Sequence, residues 1–468
     1  MRLTAFNPEE LDRIHGASLE ILSRTGVVFH SSDALNLFKK HGARVENDRV
    51  FIPETLVDDA LSRAPKEFEW QARNPEHTIV IGRDALGVQP NIGPIYIHDM
   101  KNGRRHSVLK DFVNMQKLAQ TSDVVNLVGS LPVEPSDLPQ DTKHLQMLYE
   151  VLKHTDKPVI GMAGHRKEAT EALEMMALAV RPYTDHPFSD NHWICVAVNP
   201  LSPLSFSPDA IETLFAYAGQ NQPIFIPPAI MAGVTGPINP LGTVILQNTE
   251  ILAGLALVQL INPGTPVVYT CASTAAYMKT AAFITGPPEL PLIHAGGIQM
   301  GREYYGLPTR SLSGMSDAKT PDCQAGLESM ASGLTSVLSG AHILVEAMGC
   351  LESFMTTSYE KFIIDEEIIS RALHMRQGMD ASKAAVAREK GLIVEVGRGD
   401  YLTHMNTLQN FRSCWQPRIS DWGGSNSGEN DSLLERAANQ VEERLAQAPQ
   451  SLISGEEERH LKEYMESC

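Results

Sequence analysis

The 468 residues suffice for one large domain with additions or for two to three ordinary domains, and 43% apolar content provides a sizeable core. A formal charge of −17 argues against a nucleic-acid surface or an anionic membrane as partner, and suits a neutral or cationic ligand. No continuous apolar run has transmembrane length.

The chain opens without a hydrophobic leader core and reads as mature protein. Residues 8–63 read as helices. In PEELDRIHGASLEILSRTGVVF, Leu11, Ile14, Leu19, Ile21 and Leu22 recur at helical spacing, and Gly26 ends the pattern. SDALNLFKKHGARV repeats it with Gly42 as the stop, and IPETLVDDALSRAP starts a third helix near Pro53. Short β-like text follows: FEWQARN, HTIVIGRD and NIGPIYIHDMKNGRRHSV. In the last, Lys101-Asn102-Gly103 marks a hairpin turn.

The rhythm then changes to short apolar runs alternating with helical segments. The runs are 124–130, 157–164, 192–200, 222–230, 265–273, 309–315 and 341–349. Continuous rather than alternating runs suit parallel strands buried on both faces. With PNIGPIYIHD near Ile95 as one more, they make eight βα units, and a (β/α)8 barrel is expected. An open doubly wound sheet is the alternative; the absence of a Gly-rich dinucleotide fingerprint after the first strand speaks against it. Beyond Phe362 the text is mostly helical, with MDASKAAVAREKG and LLERAANQVEERLAQAP as helices around the polar loop 420–432. The expected organisation is an N-terminal helical extension over 1–65, the barrel with its hairpins over 66–360, and a C-terminal helical segment over 361–468.

Six scattered cysteines without CxxC spacing favour a reducing cytoplasm over a disulfide framework, and sixteen histidines show no HExxH pattern. Cys271 and Cys323 are nucleophile candidates without a nearby histidine in sequence. The stretch SLSGMSDAKTPDCQAGLESM (311–330) ends a strand in small residues and turns into a helix that Asp322 or Thr320 can cap. It is either a tight βα turn or the floor beneath something large. The Gly/Pro-rich loop 227–240 is open to the same two readings.

The N-terminal text from Ile14 to Gly82, GMSDAKTPDCQAGLES and YLTHMNTLQNFR resemble the trimethylamine methyltransferase superfamily, over nearly the whole chain. The resemblance implies a TIM-barrel enzyme that moves a methyl group from an amine to the cobalt of a separate corrinoid protein. No tightly bound cofactor is expected; the corrinoid comes with the partner. The founding enzymes carry pyrrolysine. This chain has only the twenty standard residues and therefore resembles the non-pyrrolysine branch, whose members demethylate quaternary amines such as glycine betaine. The counterpart of pyrrolysine is expected within Leu312–Lys319. A homo-oligomer joined through the terminal helices is also implied.

For that chemistry no catalytic side chain and no metal are required, because a tertiary amine leaves a quaternary nitrogen neutral. A quaternary ammonium group is held by aromatic faces and by acidic or carbonyl oxygens. The substrate-binding candidates at strand ends are Tyr96, Asn199, Tyr269, Glu346 and Phe354. Tyr96 and Tyr269 can equally be core residues, and Asn199, before Pro200, can shape a turn. Glu346 ends an apolar run, where a carboxylate needs a partner. Gly314, Ser316, Asp317 and Lys319 are the corrinoid-facing candidates, although Asp317 and Lys319 can pair or cap instead. Lys319 or Arg310 can bind a substrate carboxylate, but Arg310 falls at a strand start, the wrong end of the barrel. A metal- or cofactor-dependent lyase or decarboxylase and a non-catalytic betaine-binding protein are the competing functions.

Overall fold

The computed structural model describes residues 1–129, 131–423 and 431–468, so most of the polar loop 420–432 lies outside the described residues. Eight parallel strands form the centre: β1 Gly87–Val88, β2 Val128–Gly129, β3 Val159–Ile160, β4 Ile194–Ala197, β5 Ile224–Ile226, β6 Val267–Cys271, β7 Thr309–Leu312 and β8 Ile343–Val345. They run side by side from β2 through β8, and β8 pairs in parallel with β1. The ring closes where the amides of Asn126 and Leu127 donate to the Val88 carbonyl and Val88 N–H donates to Asn126 Oδ1. This is a closed (β/α)8 barrel.

The first strand is a correction to the sequence reading. Tyr96–Asp99 is no barrel strand; it forms a hairpin with Gly103–His106 and pairs with Thr356–Ser358. Its burial alternates, as in a strand with one wet face, whereas Gly87–Val88 is buried throughout.

Each strand leads to an outer helix: α1 Leu109–Thr121, α2 Lys143–His154, α3 Arg166–Val180, α4 Pro208–Gly219, α5 Pro240–Ile261, α6 Glu289–Gln299, α7 Cys323–Ser339 and α8 Tyr359–Gln377. The expected boundary at 360/361 thus falls inside α8. Helix α5 is apolar and long enough to cross a membrane by length and composition, but it is a core helix. It is apolar around its whole circumference because the N-terminal helices Pro8–Arg24 and Glu54–Arg63 cover the side that other barrel helices leave wet. The first of these starts at a capping box between Asn7 and Glu10. Between the N-terminal helices run strands of three residues, too short to show a period in sequence.

One end of the barrel is sealed. The hairpin Phe68–Trp70 with Ile79–Ile81 pushes Phe68, Trp70 and Ile81 against the inward side chains Leu127, Ile160, Phe225, Val268 and Ile343. This plug lies at the N-terminal ends of the strands and fills that end of the barrel.

A buried ion pair joins the strand ends to the outer layer. Lys361 Nζ in α8 donates to Asp365 (2.6 Å), Ser329 Oγ (2.7 Å) and the Gly314 carbonyl (3.0 Å). Asp365 also accepts the Gly349 N–H (2.7 Å). Lys361→Met should strand Asp365 and cost about 3–5 kcal/mol, read as a lower urea midpoint at unchanged slope. An unchanged midpoint would remove this pair from the barrel's supports.

Candidate functional site

At the C-terminal mouth lies a cavity of about 450 Å³ lined by loops and strand ends from around the barrel. Ala197, Ala229 and Ala272 keep it open. The alternation of β7 turns Arg310 and Leu312 inward, while Ser311 points outward to His294 and Ser336. Phe283, from the loop after β6, and Phe354, from the loop after β8, form one wall with ring centroids 5.4 Å apart.

Two ionisable groups, one basic and one acidic, are buried in this space. Arg310 is 2% exposed, lies over the Phe225 ring (4.8 Å to the centroid) and donates through Nη2 to Gln89 Oε1 (3.1 Å). Its Nε–H and the Gln89 amide nitrogen have no partner among the described residues. A desolvated guanidinium with an idle donor is a costly arrangement unless something supplies an acceptor. Burial pulls the Arg310 guanidinium down to about 10, so it stays charged at neutral pH. Glu346 follows β8 in a left-handed conformation (φ 58°), and its Oε2 accepts the Ile92 N–H (2.6 Å). Burial pushes its carboxyl up to about 8, against the weaker pull of that amide and of Arg310. No ion pair joins the two, and both line the same cavity.

The loop after β8 carries further strain: Glu352, Ser353 and Phe354 all have positive φ. Such backbone persists only where its surroundings over-determine it. Here Ser353 N–H donates to the Ser316 carbonyl, and Glu352 N–H to the Ala318 carbonyl. Asp317 completes the clamp. Its carboxylate accepts Thr285 N–H (2.8 Å), Gly286 N–H (2.8 Å) and Ser353 Oγ–H (2.5 Å), tying together the loops that carry Phe283 and Phe354.

Of the substrate-binding candidates, the structure brings Asn199, Glu346 and Phe354 together in the cavity lining. Asn199 Nδ2 donates to the Pro227 carbonyl (3.0 Å). Tyr96 is not in the lining: it lies in the hairpin beneath the Arg104 guanidinium, 3.5 Å from ring centroid to carbon. Tyr269 is on the outward face of β6, where its hydroxyl donates to Asn248 Oδ1 (3.0 Å). Strand parity separates it from Ala272.

The four corrinoid-facing candidates change role too. Ser316 is buried and donates to Glu328 (2.6 Å), Asp317 is spent on the clamp, and Lys319 is exposed beside it. Gly314 is buried at φ 69°, and a Cβ there would stand 2.5 Å from the Ala347 carbonyl oxygen. It is the tight turn rather than open floor. Arg310, placed by sequence at the wrong end, is the second residue of a short strand, and its long side chain reaches into the cavity. Phe283 was missed; it lies in a two-residue strand, too short to show a period. Cys271 faces outward and burial raises its thiol, and Cys323 begins α7 on the surface. With one carboxylate and no histidine or cysteine, the lining lacks the three-ligand set of a catalytic zinc site.

The chain matches the model of the family described as trimethylamine methyltransferase over residues 1–467. It is 36% identical over 415 residues to a glycine betaine methyltransferase of Desulfitobacterium hafniense (strain Y51), covering 88% of this chain and 86% of that protein. It is 32% identical over 449 residues to a proline betaine:corrinoid methyltransferase of Eubacterium limosum, with coverage of 93% and 92%. The crystal structure of the Methanosarcina barkeri monomethylamine methyltransferase superposes with a TM-score of 0.57 at 11% identity, over 96% of this chain and 89% of that one, a likeness of fold.

Gly314→Ala tests the tight turn. The left-handed backbone and the contact with Ala347 should together cost about 2–4 kcal/mol in unfolding free energy. A variant as stable as the parent would return Gly314 to open space at the mouth.

Proposed function

The chain belongs to the trimethylamine methyltransferase family, and on that premise we propose that it transfers a methyl group from a betaine-type quaternary amine to the Co(I) of a corrinoid carried by a partner protein. The observation that carries the substrate class is the pair of buried ionisable groups in one open cavity, the charged Arg310 and the Glu346 carboxyl, which an arriving cation would ionise. A zwitterion matches it: carboxylate on the idle Arg310 donor, trimethylammonium between Glu346 and the Phe283–Phe354 wall.

The chemistry asks little else of the protein. The C–N bond breaks with its electron pair retained by nitrogen, which leaves as a neutral tertiary amine. The new C–Co bond takes its pair from cobalt, formally oxidised from Co(I) to methyl-Co(III). No proton moves. Positive charge on nitrogen disappears along the way, so a dry site favours the transition state over the separated ions. The neutral product also loses its attraction to Glu346 and the aromatic wall, which favours release. The sealed hairpin end leaves one approach for the methyl acceptor, from the mouth. Leu201, Ile238, Met278 and Met355 stand exposed on the loops around it, and they are the surface proposed to receive the corrinoid protein. Asp317 acts there as a positioning residue for both aromatic walls.

Two experiments test this assignment. Arg310→Met should raise the Kd for glycine betaine about 10- to 100-fold, as expected for a lost charged hydrogen bond. Weak binding of choline, which lacks the carboxylate, should change little. Equal losses for both would place the carboxylate elsewhere. For pH the sign follows from Glu346: an arriving cation favours the ionised carboxylate, whose pKa in the empty site is raised to about 8. Betaine affinity by calorimetry should therefore strengthen as pH rises towards that value, then level off, and Glu346→Gln should abolish this dependence. Affinity that weakens over the same range would reverse the ligand's orientation.

A further inference from the structure

The charge of −17 conceals a cluster of the opposite sign at the plugged end of the barrel. Three guanidiniums meet there. Arg302 belongs to the helical turn Met300–Tyr304 that continues α6, and Arg376 to the last turn of α8. Arg2 comes from the N-terminal stretch, which the Leu3 N–H holds beside α7 by donating to the Leu338 carbonyl (2.9 Å). Gly340, the left-handed residue that ends α7 (φ 88°), makes room for two of them: a Cβ there would stand 2.8 Å from Arg2 Nη1 and 3.4 Å from Arg302 Cδ.

No carboxylate in contact neutralises the cluster. Among the described residues, the side-chain hydrogen bonds of Arg302 and Arg376 go to the carbonyls of Gly340 and Asp84, and Arg2 makes none. Asp84 and Glu303 are the acidic groups near Arg302, but both act on it more weakly than Arg2 and Arg376 do. Burial and this repulsion pull the Arg302 guanidinium down to about 10. The helix ends offset part of the excess: Arg302 and Arg376 sit at C-termini, Arg302 also caps α7, and three such ends supply roughly 1.5 negative charges.

A further donor lies beside the arginines. His342, between Gly340 and β8, is 2% exposed. Its Nδ1 accepts the Thr309 N–H (3.0 Å), which places the ring proton on Nε2, and that N–H has no partner among the described residues. Burial lowers the imidazole to about 3, and the charges that lower it further are Arg302, Arg2 and Arg376, the same three groups. The ring is therefore neutral, and its buried N–H lacks an acceptor.

We propose that Arg2, Arg302, Arg376 and the His342 Nε2–H form a binding site for a phosphate group, borne by the free ion or by a small phosphorylated metabolite, at the barrel end opposite the substrate cavity. A dianion answers the excess of like charge, and guanidinium forks match its oxygens in pairs. The strongly negative net charge turns away nucleic acid, so the ligand is small. Bound there, it would tie the N-terminal stretch to the ends of α6 and α8 while the mouth stays free.

Calorimetry and thermal unfolding with inorganic phosphate and, separately, glycerol phosphate test the site against chloride at the same ionic strength. At least one of the two should bind with a millimolar or lower Kd and raise the thermal midpoint above the chloride control. Arg302→Met should weaken that binding about 10- to 100-fold, as for a lost charged hydrogen bond. Far-UV dichroism like the parent's separates a lost site from a lost fold. Because Arg302 also caps α7, R2M/R376M takes its place should it fail to fold, with the same expectation. Tighter binding of glycerol phosphate would identify a phosphorylated metabolite as the ligand, and equal or tighter binding of inorganic phosphate the free ion. Phosphate compounds no more effective than chloride, or folded variants that bind them as the parent does, would overturn the proposal.

Discussion

A guanidinium inside a parallel β-barrel is the constraint on which the rest of the site depends. Arg310 has left water, and the protein returns to it one amide oxygen and one aromatic face. The hairpin at Trp70 seals the barrel beneath it, so no solvent arrives from that side. What remains is an unpartnered donor at a cavity whose other ionisable group, Glu346, makes no ion pair with it. Each group alone would be expensive to bury; a zwitterion between them satisfies both. The ligand's charge pattern is in this sense an image of the cost the empty site carries.

The surroundings serve to keep that site in shape. Small residues at the ends of β4, β5 and β6 create the volume, and the aromatic wall comes from Phe283, in a two-residue strand paired with Thr274–Tyr277, and from Phe354, in the turn between Cys350–Leu351 and Thr356–Ser358. Their positions are fixed at second hand. Asp317 ties the two loops, and Lys361 with Asp365 anchors the Gly314 turn from which Asp317 projects. The left-handed residues from Glu352 to Phe354 are tolerated because this network surrounds them. The sequence stretch 311–330 therefore is a tight turn and a support for the pocket wall together, and it carries the wall without facing the ligand.

The barrel was legible because its strands are buried on both faces and its helices on one, a contrast that survives in sequence. The first strand was not, because Gly87–Val88 contributes two residues and no apolar run, while the hairpin at Tyr96 offers a stronger β signal. Asn199, Glu346 and Phe354, chosen for their place at strand ends, do lie in the cavity lining. Tyr269 was misplaced by one register step, since a strand end gives chemistry to every other residue only. Arg310 was misread because charge near a strand start ordinarily means solvent, and only the length of its side chain carries the charge to the other end. Phe283 sits in a strand of two residues, too short to show a period, and the strain after β8 is a property of loop conformation, which the amino-acid pattern does not encode locally.

A crystal structure with glycine betaine bound addresses the central claim most directly. The expected result has a carboxylate oxygen within hydrogen-bonding distance of Arg310 Nε, the trimethylammonium group between Glu346 and Phe354, and one methyl directed at the open mouth. A ligand with its ammonium group towards Arg310, or one bound outside this cavity, would contradict it.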